Sequence, residues 1–383
     1  MQFRDLLKQY EVLKEQIDAA MICVARSARF ISGPEVKELE KKLAEYVGVK
    51  HCITCANGTD AISIAMRVWG IGEGDAVFVP DFTFFSSGEC PADEGATTIY
   101  VDVDRRTFNI DPIRLDEAIK KIIADGKYKP KAVVSVDLFG LPADYSAIKA
   151  ICEKYGLLLL EDGAQGFGGS INGKLACSFG DISTTSFFPA KPLGCYGDGG
   201  AIFTDNDEWA DLIRSICVHG KDTGNPDDPN AKYNNIRLGK NSRLDTMQAA
   251  ILLPKFKAFV DYELDAINKV AGWYTEGLKD TVLTLPLVAD GFYSSWAQYT
   301  VQVPETIDRK SLQAMLKEAG IPSMVYYAKP MHLQGAFVGT DSAIADCPVT
   351  EKLCATVLSL PIDPYKTKED IDFVVTKLKE ALE

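Results

Sequence analysis

A lysine between two prolines is the first side chain whose setting suggests chemistry. Pro189 and Pro192 flank the Ala190-Lys191 pair and favour extended or turn geometry for the residue before each of them. Four glycines follow within residues 194–200. A lysine directed by such a backbone could form an imine with a carbonyl compound. A lysine taken alone is usually solvated, so its role depends on what lies around it.

Two acidic residues and an amide end a buried strand. The apolar run of residues 157–160 leads directly to Glu161 and Asp162, and Gln165 follows after a Gly-Ala pair. A carboxylate there could keep a ring nitrogen protonated, and the amide could donate a hydrogen bond to a ring hydroxyl. Asp162 could equally cap the next helix. The sequence alone leaves both interpretations open.

Two further segments could bind anions. The Asn57-Gly58-Thr59 turn lies between a predicted strand and a predicted helix, where backbone N–H groups and a hydroxyl face an anion, although a plain helix cap has the same pattern. The segment from Asn241 to Asp245 opens a later helix and contains Arg243. Arg243 could bind a substrate or pair with Asp245.

Strands and helices alternate through the first half of the chain. This order, with strands that are apolar on both faces, predicts a parallel sheet covered by helices on both sides. Ligands of such sheets bind at the carboxyl ends of the strands, where Asp162 and Lys191 are expected. The predicted strands are Cys52–Cys55, Ala76–Pro80, Thr97–Val103, Ala132–Leu138, Leu157–Glu161, Asp181–Phe187 and Ala201–Thr204. The predicted helices between the first five are Asp60–Val68, Phe85–Glu94, Ile113–Ala124 and Tyr145–Tyr155.

The pattern predicts a large domain of residues 1–255, which begins with a helical segment, and a smaller α+β domain of residues 256–383. Residues 249–279, 310–319 and 367–382 are predicted to be helical, and residues 298–303 form a predicted strand. Residues 221–235 are rich in Asp, Asn, Pro and Gly and predict a long surface loop.

Composition excludes several classes of function. The 383 residues carry a net charge of −13, which argues against nucleic-acid binding. No signal peptide or membrane span is expected. The 10 cysteines show no disulfide pattern, so we expect free thiols in a reducing cytoplasm. The 3 histidines, at positions 51, 219 and 332, are too dispersed to predict a metal site.

Taken together and in this order, these segments resemble the sugar-nucleotide aminotransferases of the DegT/DnrJ/StrS type. That family is a branch of the fold-type-I enzymes, which use pyridoxal 5′-phosphate (PLP). The run from Ser186 to Ala201 is highly specific to it, and the run from Asn241 to Ala250 is less so. The resemblance covers nearly the whole chain, from Phe30 to Pro361.

The resemblance implies a role for each candidate residue. Lys191 matches the residue that holds PLP as a Schiff base and then moves the proton. Asp162 matches the partner of the pyridine nitrogen, and Gln165 the partner of the ring hydroxyl. Gly58, Thr59 and Ser186 match phosphate ligands, and Phe84 matches an aromatic ring that stacks on the cofactor. Asn241 matches a phosphate ligand that comes from a neighbouring subunit. The last match implies a homodimer with shared active sites.

The branch that aminates a UDP-linked 2-acetamido-3-keto-glucuronate, with L-glutamate as amino donor, resembles this chain most. We expect the sugar to meet Arg243, Tyr326, Tyr327 and His332. Ala190 and Tyr326 differ from that branch, which has Ser and His there, so a dTDP-linked 3- or 4-keto-6-deoxyhexose remains an alternative. Related dehydratases have His in place of the lysine, and some relatives were first named as regulators. Lys191 argues against both. Aminosugar or surface-polysaccharide synthesis is the expected setting.

Overall fold

A computed structural model describes residues 1–222 and 234–382. The fold is an α/β architecture with a large central sheet and flanking helices. The strands are β1 His51–Cys55, β2 Asp75–Pro80, β3 Thr97–Val101, β4 Lys129–Val136, β5 Leu158–Asp162, β6 Ser170–Ile171, β7 Lys174–Leu175, β8 Ile182–Ser186, β9 Gly200–Thr204, β10 Phe292–Tyr293, β11 Tyr299–Gln302 and β12 Val357–Leu360. The helices are α1 Leu6–Ser27, α2 Pro34–Val47, α3 Gly58–Val68, α4 Phe85–Asp93, α5 Pro112–Asp125, α6 Tyr145–Tyr155, α7 Asp207–Cys217, α8 Thr246–Ala258, α9 Leu264–Leu278, α10 Arg309–Glu318, α11 Pro348–Thr356 and α12 Lys368–Leu382.

The central sheet has seven strands in the order β1-β9-β8-β5-β4-β2-β3. Strands β8, β5, β4, β2 and β3 pair in parallel, whereas β9 is antiparallel to both of its neighbours, β1 and β8. The predicted strands and the mostly parallel sheet are therefore confirmed, with shifts of a few residues at strand ends. β8 reverses into β9 through residues 187–199, which contain no helix, so this connection can join antiparallel strands.

Neighbouring residues of the inner strands enter different hydrophobic cores on the two faces of the sheet. In β4, Val133 packs with helices α5 and α6, whereas Val134 packs in the core that contains α3 and α7. Leu159 and Leu160 of β5 divide in the same way. A sheet that is buried on both sides explains why its strands are apolar without alternation.

The helices begin and end at residues with clear local reasons. Asp111 accepts hydrogen bonds from the backbone N–H groups of Ile113 and Arg114, and Pro112 occupies the first turn of α5. Gly126 ends the same helix with φ +69°, a conformation that glycine adopts without strain. The cap and the two breakers were present in the sequence, and the predicted helix differs from α5 by one residue at each end.

Apart from the cores that cover the central sheet, a hydrophobic core with residues from Ile267 to Leu378 surrounds the β11–β12 pair, and it is called the second core below. Helix α8 leads into α9 through a π-helical turn at Phe259–Glu263, so residues 246–278 form one helical segment. This segment packs both against the central sheet and in the second core. The domain limits 1–255 and 256–383 stay a prediction. Helices α7 and α11, strand β12 and the small sheet β10-β6-β7 were not predicted.

The predicted surface loop of residues 221–235 falls mostly on residues 223–233, which lie outside the described residues. The described ends of that loop meet in an antiparallel bridge between Lys221 and Asn235. Within residues 1–222 and 234–382, no helix has the length and apolar character that a membrane span requires.

Candidate active site

Asp162 is a buried carboxylate at the carboxyl end of β5, with 5% of its surface exposed. Ser87 Oγ donates to its Oδ2 at 2.7 Å, and the backbone N–H of Ala164 donates to its Oδ1 at 3.2 Å. Burial raises the pKa of Asp162, while these two hydrogen bonds and the charge of Lys191 oppose the rise. A carboxylate with only two donors can accept a further charged N–H group.

Lys191 lies in the turn that follows β8, and its backbone N–H donates to Phe188 O at 2.8 Å. Burial lowers the pKa of its ammonium group, the charge of Asp162 raises it, and the charge of Arg4 lowers it again. The net pKa is lower than that of a free lysine, which increases the fraction of free amine. The free amine is the nucleophilic form.

The Gln165 side chain is held in one orientation. The backbone N–H of Phe139 donates to Oε1 at 2.8 Å, so the amide nitrogen is directed to Tyr327, where Nε2 donates to the hydroxyl at 3.1 Å. Burial raises the pKa of Tyr327, and the phenol is therefore neutral and can itself donate a hydrogen bond. This contact joins the large sheet to the segment that contains Tyr326 and Tyr327.

The N-terminus of α3 packs tightly against the end of β8. Asn57 caps the helix by accepting from the backbone N–H of Asp60 at 2.7 Å. A Cβ atom on Gly58 would lie 2.7 Å from Ser186 Cβ, so only glycine fits there. The Thr59 and Ser86 hydroxyls are 2.8 Å apart. Hydroxyls and free backbone N–H groups at a helix N-terminus form a typical phosphate site.

Phe84 precedes α4, at the same edge of the sheet, and 53% of its surface is exposed. Its ring centroid lies 6.4 Å from that of Tyr327, at an angle of 46°. An exposed aromatic ring next to α4, the helix whose Ser87 donates to Asp162, offers a flat apolar surface for a planar ligand.

Asn241 and Arg243 belong to a segment that contacts the start of α3, because Lys240 pairs with Asp60 at 3.2 Å and Ser242 Oγ accepts from the backbone N–H of Ala56 at 3.1 Å. Arg243 donates to Asn241 Oδ1, and Asn241 itself forms a backbone bridge with Val218. In residues 1–222 and 234–382, no hydrogen bond joins either side chain to Lys191, Asp162 or Gln165. The predicted roles of Asn241 at the phosphate and of Arg243 at the sugar stay predictions.

His332 has the contacts of a structural histidine. Its backbone N–H donates to Asp81 Oδ1 at 2.8 Å, and its Nδ1 lies 2.7 Å from Asp81 Oδ2. Cys347 completes a buried group with three potential metal-ligating atoms within 4.8 Å. The 2.7 Å distance is that of a hydrogen bond, which accounts for the Asp81–His332 pair without an ion. His332's predicted contact with the sugar stays a prediction.

Sequence reasoning missed Ser86 and Ser87, which contact Thr59 and Asp162. Both follow Phe84-Phe85 directly after the carboxyl end of β2, where hydroxyls are well placed to serve a site. That position relative to the strand was the signal that could have identified them.

The sequence model of the DegT/DnrJ/EryC1/StrS aminotransferase family matches residues 11–379. The chain belongs to this family. It is 44% identical over 378 residues to the UDP-2-acetamido-2-deoxy-3-oxo-D-glucuronate aminotransferase of Pseudomonas aeruginosa, with 99% of each chain covered. It is also 43% identical to the Pleiotropic regulatory protein of Geobacillus stearothermophilus, with 98% of this chain and 97% of that one covered.

Solved structures agree with this assignment. A DegT DnrJ EryC1 StrS aminotransferase from Brucella abortus aligns with a TM-score of 0.94 at 45% identity, covering 100% of this chain and 99% of that one. NtdA from Bacillus subtilis, solved with bound pyridoxamine phosphate, aligns with a TM-score of 0.84 at 30% identity, covering 96% and 81%. The predicted fold, family and cofactor are confirmed, and the protein is a PLP-dependent aminotransferase.

Proposed function

We propose that this aminotransferase moves the amino group of L-glutamate to the keto carbon of a nucleotide-linked sugar, with UDP-2-acetamido-2-deoxy-3-oxo-glucuronate as the best candidate. The observation that carries the proposal is the group formed by Lys191, Asp162 and Gln165 at the carboxyl edge of the sheet. The identity of 44% with the P. aeruginosa enzyme over almost the entire chain supports the choice of sugar.

The residues fit PLP in chemistry and in space. Lys191 would hold the cofactor covalently, and Asp162 would keep its pyridine nitrogen protonated. Gln165 would donate to the ring hydroxyl. The phosphate would lie at the N-terminus of α3, between Gly58 with Thr59 and Ser186, where the absence of a Cβ leaves the helix end close to β8. Phe84 would stack on the ring.

When bound, PLP supplies an electron sink that lets an amino group exchange for a keto group. The work of the chain is positioning and proton transfer. The amine of Lys191, whose pKa is lowered, would accept a proton from the carbon that bears the amino group and would later give that proton up. Asp162 would stay ionised opposite the protonated pyridine nitrogen, because each of the two charges stabilises the other.

A homodimer would complete the site. Phe84 and Phe188 are 53% and 52% exposed beside Lys191, and Leu238 is 91% exposed in the segment before Asn241. Exposed apolar side chains near a catalytic lysine are typical of a surface that a partner covers. Asn241 of the partner subunit would reach the phosphate, and the sugar would meet Arg243, Tyr326, Tyr327 and His332. Sedimentation velocity would show whether the protein is a dimer.

The ten cysteines are all unpaired, and nine of them are buried. Free thiols are typical of a reducing compartment, which supports a cytoplasmic location. The expected partners are small molecules rather than nucleic acid or membrane, since the sequence carries 54 acidic against 41 basic residues.

Visible absorption spectra of the PLP-loaded protein test the proposal. L-Glutamate should remove the band of the lysine-bound cofactor, and Lys191→Ala should lack both the band and the response. Lys154→Ala, at an exposed lysine, is the matched control. Keto sugars linked to UDP or dTDP should then restore the band to different extents, which identifies the acceptor. A wild-type spectrum that no amino donor changes would contradict transamination and favour a regulatory role.

A further inference from the structure

Arg4 lies in a short segment that precedes α1 and is fixed to the second core. The backbone N–H of Ile362 donates to Phe3 O at 3.1 Å, and the backbone N–H of Asp5 donates to Asp363 Oδ2 at 3.1 Å. Arg4 stands between these two contacts. Its backbone is therefore held on both sides.

The same segment borders the proposed active site. The Phe3 ring lies 6.2 Å from the ring of Tyr326, and the next residue, Tyr327, accepts the hydrogen bond from Gln165. The charge of Arg4 is near enough to lower the pKa of Lys191. Arg4 thus approaches the catalytic lysine from the side of the Tyr326–Tyr327 segment.

The guanidinium of Arg4 has an unused donor group. Its Nη1 is buried and has no hydrogen-bond partner among the described residues. An unpaired buried donor normally costs stability, and the cost is larger for a charged group. A bound ligand is one kind of partner that satisfies such a group in a native protein.

Two carboxylates lie within electrostatic range of Arg4, but other donors already occupy them. Glu263 Oε1 accepts from Gln9 Nε2 at 2.9 Å and also from Tyr365. Asp363 accepts from the backbone N–H groups of Asp5 and Tyr365 and from the ammonium of Lys366. These carboxylates moderate the charge of Arg4 without using its Nη1.

A second cation in this region is also without an acceptor. Lys255 is 1% exposed, and its Nζ lies 4.8 Å from the centre of the Tyr196 ring, with no hydrogen-bond partner in residues 1–222 and 234–382. Burial lowers the pKa of Lys255 to about 8, and the charge of Arg4 contributes to that shift. The ammonium faces an aromatic ring, so Lys255 adds positive potential while Arg4 keeps the free hydrogen-bond donor.

We propose that the Arg4 guanidinium binds a substrate carboxylate beside Lys191. The inference rests on the proposed function and adds a specificity residue to it. A guanidinium matches a carboxylate with two parallel N–H···O bonds, which fixes orientation as well as charge. Two substrates carry a carboxylate: the amino-acid donor and an acceptor sugar that is a uronate.

Calorimetric titration of the PLP-loaded protein separates the two sources. Succinate has the carboxylates of the donor but no amine, and UDP-glucuronate differs from UDP-glucose in the carboxylate on the sugar. Arg4→Met should weaken one of the two acids on the order of 10- to 100-fold, which is the loss of a charged hydrogen bond. Arg4→Lys should weaken binding of the same acid less, because lysine keeps the positive charge and loses only the pair of parallel N–H donors. UDP-glucose should bind equally to all variants.

Arg114→Met is the matched control, since Arg114 is exposed on α5 and pairs with Glu117. It should bind both acids like the wild type. If Arg4→Met binds succinate and UDP-glucuronate normally and only its melting temperature falls, Arg4 is structural and the inference is wrong. The titration does not depend on turnover. If Arg4→Met weakens binding of an acid but L-glutamate leaves the wild-type spectrum unchanged, the carboxylate site stands and only the transaminase proposal is wrong.

Discussion

Glu161 and Asp162 are adjacent residues of β5, and strand geometry directs their side chains to opposite faces of the sheet. Glu161 is 0% exposed and accepts from the backbone N–H groups of Cys177, Phe179 and Gly180 and from Ser183 Oγ, at 2.5 to 3.2 Å. Among the described residues, two groups donate to Asp162. One carboxylate is fully used in holding the chain together, whereas its neighbour retains the capacity to bind a ligand.

The comparison gives a criterion for separating structural from functional buried acids. Both pKa values are raised, and burial is the largest cause in each case. The pKa shifts therefore do not distinguish them. The number of donors does, because a buried acid whose oxygens are satisfied by the protein has no room for another partner.

Asp162→Asn should produce the largest effect on activity. An amide cannot stabilise a positive pyridine nitrogen, so the half-reaction with L-glutamate should slow by about 10³-fold, the upper range for loss of one preorganised electrostatic contact. Single-turnover absorbance measures the rate. Asp125→Asn, at an exposed position, is the control. A rate within threefold of the wild type would show that Asp162 does not serve the ring.

Glu161→Gln should affect stability and leave the half-reaction nearly intact. The amide replaces one acceptor oxygen with a donor, which then faces backbone N–H groups, so the free energy of unfolding should fall by about 3 kcal/mol. Urea denaturation of the PLP-loaded protein measures it. A variant that unfolds normally but loses activity would reverse the roles assigned to the two carboxylates.

Asp137→Asn should have the smallest effect, seen as a change in pH dependence. Burial and the neighbouring Glu161 raise the pKa of Asp137 well above its usual range. The folded wild type therefore binds more protons than the unfolded chain above about pH 4, and its stability falls as pH rises. Relative to Asp137→Asn, the wild type should lose roughly 2 kcal/mol between pH 4 and pH 6. Urea midpoints across this range test it, and parallel curves would contradict a proton held on Asp137.

The sequence predicted the seven strands of the central sheet because buried strands and amphipathic helices have distinct patterns. It could not predict the direction of β9, since direction depends on how residues 187–199 fold back. Strands β6, β7 and β10 have two residues each, too short for any period. Helix α7 was overlooked although Asn206 caps it and acidic residues follow, which is a recognisable start signal.

The proposed site was predictable where function follows from position at a strand end. Asp162 and Ser186 are the last residues of β5 and β8, Gln165 follows β5 closely, and Ser186 packs against Gly58. Ser87 was not predicted, because its partner Asp162 lies 75 residues away in the chain. Arg4 was not predicted either, because its segment is held by Asp363 near the other end of the chain. Contacts of this kind leave no local pattern.

The helical segment of residues 246–278 bears on how this chain could be dissected. Its first half packs Leu252 and Phe256 into the core beneath β1 and β9, and its second half packs Ile267 and Val270 into the second core. A fragment that began at residue 256 would start inside α8 and expose half of that packing to water. Excising either core as a separate folding unit would thus require cutting through a regular helix, which makes the two halves of the molecule poor candidates for exchange between relatives as independent modules.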